Sequence, residues 1–358
     1  MPVTVTGMIG PAPPQGTALH VIAGGIAPRF IADFARVHED AGFDRVLVGY
    51  YASSAEGFGV AHHAAAHTTR LGFLIAHRPG VAAPTLAART AATFDAITGG
   101  RLALHIIAGV SDEEQQAEGD FLAKDDRYRR ATEYLSILRR MWTEDAPFDH
   151  AGEFYRVQGA FSAAKPVQRP HPPLWFGGSS EGALAMGARQ CDLFALYGEP
   201  LAETAQRIAA FRARVAALGR PAPRFNMSFR PIIAPTEGEA WDKARAHLAA
   251  LEAGGIARRS PDHSAQRILE IASRGEVHDE RLWMPIAVAS GAKGNTTCLV
   301  GTAEQVAQAM LRYYALGIHN FLIRGFDPVA DATEFGRELI PRLRAGAEAL
   351  DRAPMAAQ

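Results

Sequence analysis

The sequence predicts an α/β protein of the (β/α)8 or TIM-barrel class, and three observations carry that prediction. Apolar runs of strand length recur eight times, each followed by a segment of helical periodicity. The runs are apolar throughout, as expected of a parallel sheet whose outer face is covered by helices. Several of the intervening helical segments open on Pro and close on Gly, the usual helix punctuation. Eight such units close a barrel. A doubly wound open sheet is the competing architecture, but it normally shows GxGxxG after its first strand, and GMIGPAPP does not supply one.

In chain order, VTVTGMIG near Val3 reads as the first strand, and PRFIADFARVHEDAG from Pro28 as the first helix. RVLVGYY from Arg45, LGFLIAH from Leu71 and RLALHIIAG from Arg101 follow as strands, with PTLAARTAATFDAI from Pro84 and DRYRRATEYLSILRRMW from Asp126 as helices. PFDHAGEFYRV, from Pro147 to Val157, reads as a small hairpin or extended arm before the fifth strand. The fifth strand is PPLWFGG, the sixth LFALYG from Leu193, the seventh FNMSFRPIIA from Phe225 and the eighth NFLIRGF from Asn320. Between the last two, residues 254–298 form an insertion that carries SAQRILEIASRG and the Gly-rich ASGAKGNTT. So many small and polar residues predict a mobile lid over bound ligand, or else a disordered surface loop. The whole chain, 1–358, is read as one domain with that insertion inside it.

The totals narrow the class of function. Lys plus Arg number 37 against 38 Asp plus Glu, so no global basic field exists to gather nucleic acid, and a small-molecule partner is expected. The N-terminal residues lack the basic start and apolar run of a signal peptide, and no run reaches a membrane span, so a cytoplasmic location is expected. Cys191 and Cys298 are the only cysteines and lie outside any CxxC spacing, which supports neither a disulfide framework nor a thiolate metal site.

The chemistry is expected at the C-terminal ends of the strands, the working face of such barrels. PPLWFGGSS places Gly177, Gly178, Ser179 and Ser180 where a strand gives way to a helix. Glycines let backbone approach an anion, and the first helical turn offers unpaired N–H groups, so this run reads as a phosphate clamp or, more simply, as a turn with Ser as N-cap. Tyr128 opens the helix after strand four and can reach that clamp, or pack in the core. Other strand ends supply Tyr50, Tyr51, Ser54, His77, Arg78, His105, Ala108, Tyr197, Glu199, Arg230, Arg324 and Phe326. Arg78, Arg230 and Arg324 at one rim suit carboxylate, phosphate or sulfonate oxygens, although each alone also fits a structural ion pair. His63 and His67 sit four apart on one helix face, but the HExxH glutamate is absent, and no metal site is expected.

Taken together, AHRPGVAAPTLAARTAATFDAITGGRLALHIIAG, SDEEQQAEGDFLAKDDRYRRATEYL, PPLWFGGSS, the LYGEP turn, CLVGTAEQVAQAMLRYYALGI and FLIRGFDP resemble, in order, the bacterial luciferase-like flavin monooxygenases. Within them the chain resembles the two-component alkanesulfonate monooxygenases. The resemblance implies reduced FMN (FMNH2) and O2 as co-substrates, a separate NAD(P)H-dependent flavin reductase, and a homodimer or homotetramer. It implies that Tyr128, Gly177, Gly178, Ser179 and Ser180 bind the flavin phosphate and that His105 and Ala108 flank the flavin ring. His105 replaces the asparagine usual in the alkanesulfonate group, and Ser54 a cysteine. The group's arginine and histidine on the seventh strand become Ser228 and Arg230, and its last-strand tyrosine and histidine become Phe326 and Pro328. Its lid arginine aligns near Ser290, with Lys293 close by. His105, Ser54 and Arg230 are thus the candidate catalytic residues, and Tyr51, Arg78, Arg230, Lys293 and Arg324 the candidate substrate-binding ones. The implied reaction is C–S cleavage of an organosulfonate, an alkanesulfonate or a sulfosugar such as sulfoquinovose, to sulfite and an aldehyde. Oxygenation of a non-sulfonate substrate such as a sulfone, or hydride transfer with a deazaflavin, are the alternatives.

Overall fold

The computed structural model describes residues 2–13, 25–108, 111–254, 263–292, 294 and 296–352. Its strands are β1 (Thr4–Ile9), β2 (Arg45–Val48), β3 (Gly72–His77), β4 (Leu102–Ile106), β5 (Phe148–Ala151), β6 (Arg156–Ala160), β7 (Leu174–Gly177), β8 (Leu193–Tyr197), β9 (Arg224–Ile233), β10 (Val277–His278), β11 (Leu282–Trp283), β12 (Cys298–Gly301) and β13 (Ile318–Ile323). Eight of them, β1, β2, β3, β4, β7, β8, β9 and β13, pair in parallel in that order, and β13 returns to β1 through Thr4↔Asn320. The ring is closed, as the eight apolar runs predict. β5 and β6 form the expected hairpin as a separate antiparallel pair.

Local sequence explains the helical shell. Helices Pro28–Asp40 and Pro84–Thr98 begin on proline, whose fixed φ suits the first helical position, and the second ends on Gly99 at φ +67°. Thr236 and Thr302 each close a capping box, with Glu239 and Gln305, and so fix the starts of helices Glu237–Ala253 and Ala303–Ala315. Most of the apolar core lies between this shell and the barrel wall, with Phe73, Phe94, Phe194, Phe225 and Phe321 among its fully buried rings. No helix among the described residues is long and apolar enough to cross a membrane.

The insertion, expected as a lid that orders over bound ligand or as a disordered surface loop, carries packed elements among its described residues. Helix His263–Ala272 buries Ala265, Ile268 and Ile271 against the main core. Those positions recur every third residue, a stripe that a tally of small and polar residues hides. β12 then pairs in parallel with the outer half of β9, from Cys298↔Arg230 to Gly301↔Ile233, and β11 and β10 continue the sheet antiparallel. Ser290, Thr296 and Thr297 of the Gly-rich stretch are buried. The described part of 254–298 is therefore a packed wing of the barrel.

Candidate active site

Strand alternation sorts the rim residues into inward and outward ones. Leu74, Ala103, Trp175 and Leu193, with Leu47, form a separate cluster inside the ring and make a floor. Two residues further along the same faces come Ala76, His105, Gly177 and Ala195, mostly small, which leaves room above that floor. His77 points the other way. Its ring lies against Phe58, and its Nε2 is 2.9 Å from Tyr134 Oη in the helical shell, so it does not reach the mouth.

The glycine–serine run is assembled as a cradle. A Cβ added to Gly177 would lie 2.7 Å from the Ala195 carbonyl oxygen, and one added to Gly178 would lie 2.7 Å from Ala183 Cβ, so only glycine fits at either position without a shift. Ser180 is the N-cap of helix Glu181–Gln190, its Oγ accepting from Ala183 N–H at 3.4 Å, and the same hydroxyl donates to Tyr128 Oη at 3.4 Å. The capping role and the convergence with Tyr128 thus coexist. Ser179 Oγ lies 3.0 Å from Ser264 Oγ, on the wing helix, a partner that sequence reading missed because 85 residues separate the two.

His105 faces the interior with its Nδ1 buried and without a hydrogen-bond partner. Burial lowers its pKa to about 4, so the imidazole is neutral at pH 7. Ala108, half-buried, follows β4 in the same mouth.

The three arginines occupy different environments. Arg324 is partly buried just past the end of β13 and donates to Met8 Sδ at 3.2 Å and to the Gly294 carbonyl of the wing; burial lowers its pKa, with Tyr197 and Tyr51 nearby opposing that shift. Arg230 is fully buried, donates to the Gly325 carbonyl at 2.6 Å and lies over the Phe326 ring. Burial, with Arg324 nearby, pushes its pKa well down. A narrow recess between the barrel wall and helix Pro28–Asp40 is lined by both guanidinium groups together with Met8, Phe34 and His38. Arg78 is also buried, but it is taken up by Glu118 and Glu114 and lies over the Tyr50 ring. Tyr50 in turn donates to Glu118.

The remaining candidates divide in the same way. Ser54 Oγ donates to the Tyr51 carbonyl at 2.8 Å and accepts from Tyr51 N–H at 3.1 Å, closing the turn that carries Tyr51. Glu199, 2% exposed, binds Arg207 at 2.5 Å and Arg267 at 2.9 Å. Lys293 lies outside the described residues. His62, His63 and His67 each lie within hydrogen-bond distance of a backbone carbonyl, of Phe58, Pro28 and His63 respectively. Among the described residues, no group of three or more His, Cys, Asp or Glu is placed to hold a metal ion.

A parallel barrel with a glycine–serine turn at a helix start, a partly buried neutral imidazole and arginines near its strand ends has the layout of an enzyme that acts on a small molecule. The model of the luciferase-like monooxygenase family matches residues 7–320, and the chain belongs to that family. The family is one of monooxygenases, which are oxidoreductases. Among solved structures, riboflavin lyase (RcaE), described with modified FMN and riboflavin, is similar at 22% identity and a TM-score of 0.77, over 96% of this chain and 92% of that one. EDTA monooxygenase (EmoA) from Chelativorans sp. BNC1 gives 17% and 0.76, over 96% and 94%. DmoA from Hyphomicrobium sulfonivorans gives 19% and 0.76, over 96% and 88%. At these identities the likeness speaks for the fold.

Proposed function

We propose that this chain is the oxygenase component of a two-component system, and that it uses reduced FMN and O2 to cleave the C–S bond of an organosulfonate. The cradle carries this reading. Gly177 and Gly178 leave the backbone bare, Ser180 and Tyr128 bring two hydroxyls together with Ser179 next in the chain, and Ser180 caps the N-terminus of helix Glu181–Gln190. These residues fit a phosphate and would hold that of FMN, while the small residues Ala76, Gly177 and Ala195, with His105 and Ala108, would leave room for its ring system. The cofactor, when bound, supplies the two electrons and the oxygen activation. The overall balance is sulfonate plus FMNH2 plus O2 to aldehyde, sulfite, FMN and water.

The chain's own residues bind, orient and exclude water. His105, neutral because it is buried, offers an uncharged imidazole beside the ring. Arg324 binds the sulfonate head, with Tyr51 and Tyr197 beside it. Arg230 holds the Gly325 carbonyl and thereby positions Arg324 from behind. Ser54 shapes the Tyr51 turn, and Arg78 braces the strand-two and strand-four loops through Glu114 and Glu118. The wing closes the rim above Arg324 through Gly294. Lys293 belongs to the same stretch and is retained as a candidate for the substrate side. A separate NAD(P)H-dependent reductase supplies the flavin, as the resemblance to two-component enzymes implies. A homodimer or homotetramer is the assembly the resemblance implies.

The test supplies reduced FMN, O2 and a panel of sulfonates that includes sulfoquinovose, and measures sulfite. Sulfite formation that requires both FMNH2 and O2 is expected. Flavin oxidation coupled to an oxygenated product without sulfite would move the substrate to a non-sulfonate. Turnover only with a deazaflavin would overturn the oxygenase reading.

A further inference from the structure

Helix His263–Ala272 lies outside the regular strand–helix rhythm of the barrel, yet it is fastened to the cofactor end at several points. Ser264 Oγ stands 3.0 Å from Ser179 Oγ. Arg267 Nε donates to both carboxylate oxygens of Glu199, at 3.0 and 2.9 Å, just beyond β8. Two residues past the far end, Arg274 donates to Glu203 at 2.7 Å. Ala265, Ile268 and Ile271 bury the face between these anchors.

We propose that Ser264 is a further hydroxyl of the phosphate cradle, so that the wing helix takes part in holding the phosphorylated cofactor. This rests on the reading of Gly177–Ser180 as the phosphate site. Three helices then converge on one anion: Lys124–Thr143 through Tyr128, Glu181–Gln190 through Ser180 at its cap, and His263–Ala272 through Ser264. In the Ser179–Ser264 pair one hydroxyl donates to the other, which leaves one O–H to spend elsewhere. A phosphate is acceptor-rich and draws donation from both hydroxyls at once. Because the two oxygens already lie within hydrogen-bond distance of each other, this requires rotation of hydroxyls and no backbone shift. Ser264 is rigidly placed, since Arg267, one turn along, is held by Glu199. Phosphate binding is therefore linked to docking of the wing, and a flavin without phosphate lacks that link.

The experiment titrates the full-length protein with FMN and with riboflavin, reading flavin fluorescence, in the wild type, Ser264→Ala, Ser264→Thr and Ser179→Ala. The wild type is expected to prefer FMN. Ser264→Ala should weaken FMN at least fivefold and leave riboflavin unchanged, and Ser264→Thr should restore FMN binding. Hydrogen exchange in residues 263–272 should slow with FMN but not with riboflavin in the wild type, and the difference should vanish in Ser264→Ala. An unchanged FMN-to-riboflavin ratio in Ser264→Ala, with the ratio reduced in Ser179→Ala, overturns the role of Ser264 and leaves the phosphate site standing. A wild type that binds both flavins equally, or a Ser179→Ala variant with its ratio intact, overturns the phosphate site and this inference together.

Discussion

Replacing Glu199 by Gln tests whether the wing is fastened to the barrel by charge. In the native protein this carboxylate is 2% exposed, with Oε1 accepting from Arg207 at 2.5 Å and from Arg267 at 3.0 Å, and Oε2 accepting from Arg267 at 2.9 Å. Gln keeps the shape and removes the negative charge, leaving two guanidinium groups facing each other across an amide. Breaking a buried pair in this way costs about 3–5 kcal/mol. Arg267 is 34% exposed and Arg207 18%, so water screens part of the loss and the lower end, about 3 kcal/mol, applies. With an unfolding entropy of about 2 cal/mol/K per residue, that corresponds to a fall in Tm of about 4 °C for a chain of this size. Calorimetry measures the fall, and hydrogen exchange in residues 263–272 shows whether it begins in the wing. The double variant Glu199→Gln/Arg267→Met, which removes one of the stranded cations, should recover part of the loss. A Tm within 1 °C of the wild type, with exchange in the wing unchanged, would refute the view that Glu199 fastens it.

Three further outcomes are expected. Gly178→Ala places a methyl 2.7 Å from Ala183 Cβ, a strain of about 1–3 kcal/mol, and should weaken FMN binding at least tenfold with far-UV dichroism unchanged; undiminished binding would remove the cradle assignment. Arg324→Met should raise the substrate Kd tenfold or more while FMN binding is kept, and equal substrate affinity in equilibrium binding would exclude Arg324 from the substrate site. His38 is packed between Phe34 and Phe43, and burial lowers its pKa from 6.5 to about 4. The folded state keeps it neutral while the unfolded chain takes up a proton, so its contribution is present above pH 6.5 and lost as the pH falls towards 4. About 2 kcal/mol should disappear between pH 7 and pH 5. Denaturant unfolding of His38→Met should show a shallower loss over that interval, and parallel curves for variant and wild type would count against it.

The barrel was legible because its strands are uninterrupted apolar runs set between Pro and Gly, so that period and punctuation agree. That same uniformity concealed which way each strand faces. His77 and His105 both sit in apolar strands with no polar alternation to orient them, and only the register, with Ala76 opposite His105, separates the outward ring from the inward one. The strand-to-helix junction at PPLWFGGSS was legible, with Ser180 as the N-cap that one of its two readings expected, and Tyr128 does come within 3.4 Å of that hydroxyl. The duties of the arginines were not. Arg78 finds Glu114 and Glu118 36 and 40 residues away, and Arg230 meets the Gly325 carbonyl 95 residues on, separations that no local pattern reveals. The strands of the wing were illegible for a different reason: β10 and β11 are two residues each, too short to show a period.

β9 spans ten residues because it belongs to two neighbourhoods, its first part lying between β8 and β13 and its last four residues beside β12. Asn226, Ser228 and Arg230 therefore share a single two-residue beat that runs from the floor of the ring past its rim. One amino acid inserted ahead of Asn226 would turn all three outward together and carry Phe225, Met227 and Phe229 into the interior. Loops on either side of this strand can change length freely, whereas the strand itself keeps the count for both halves of the molecule.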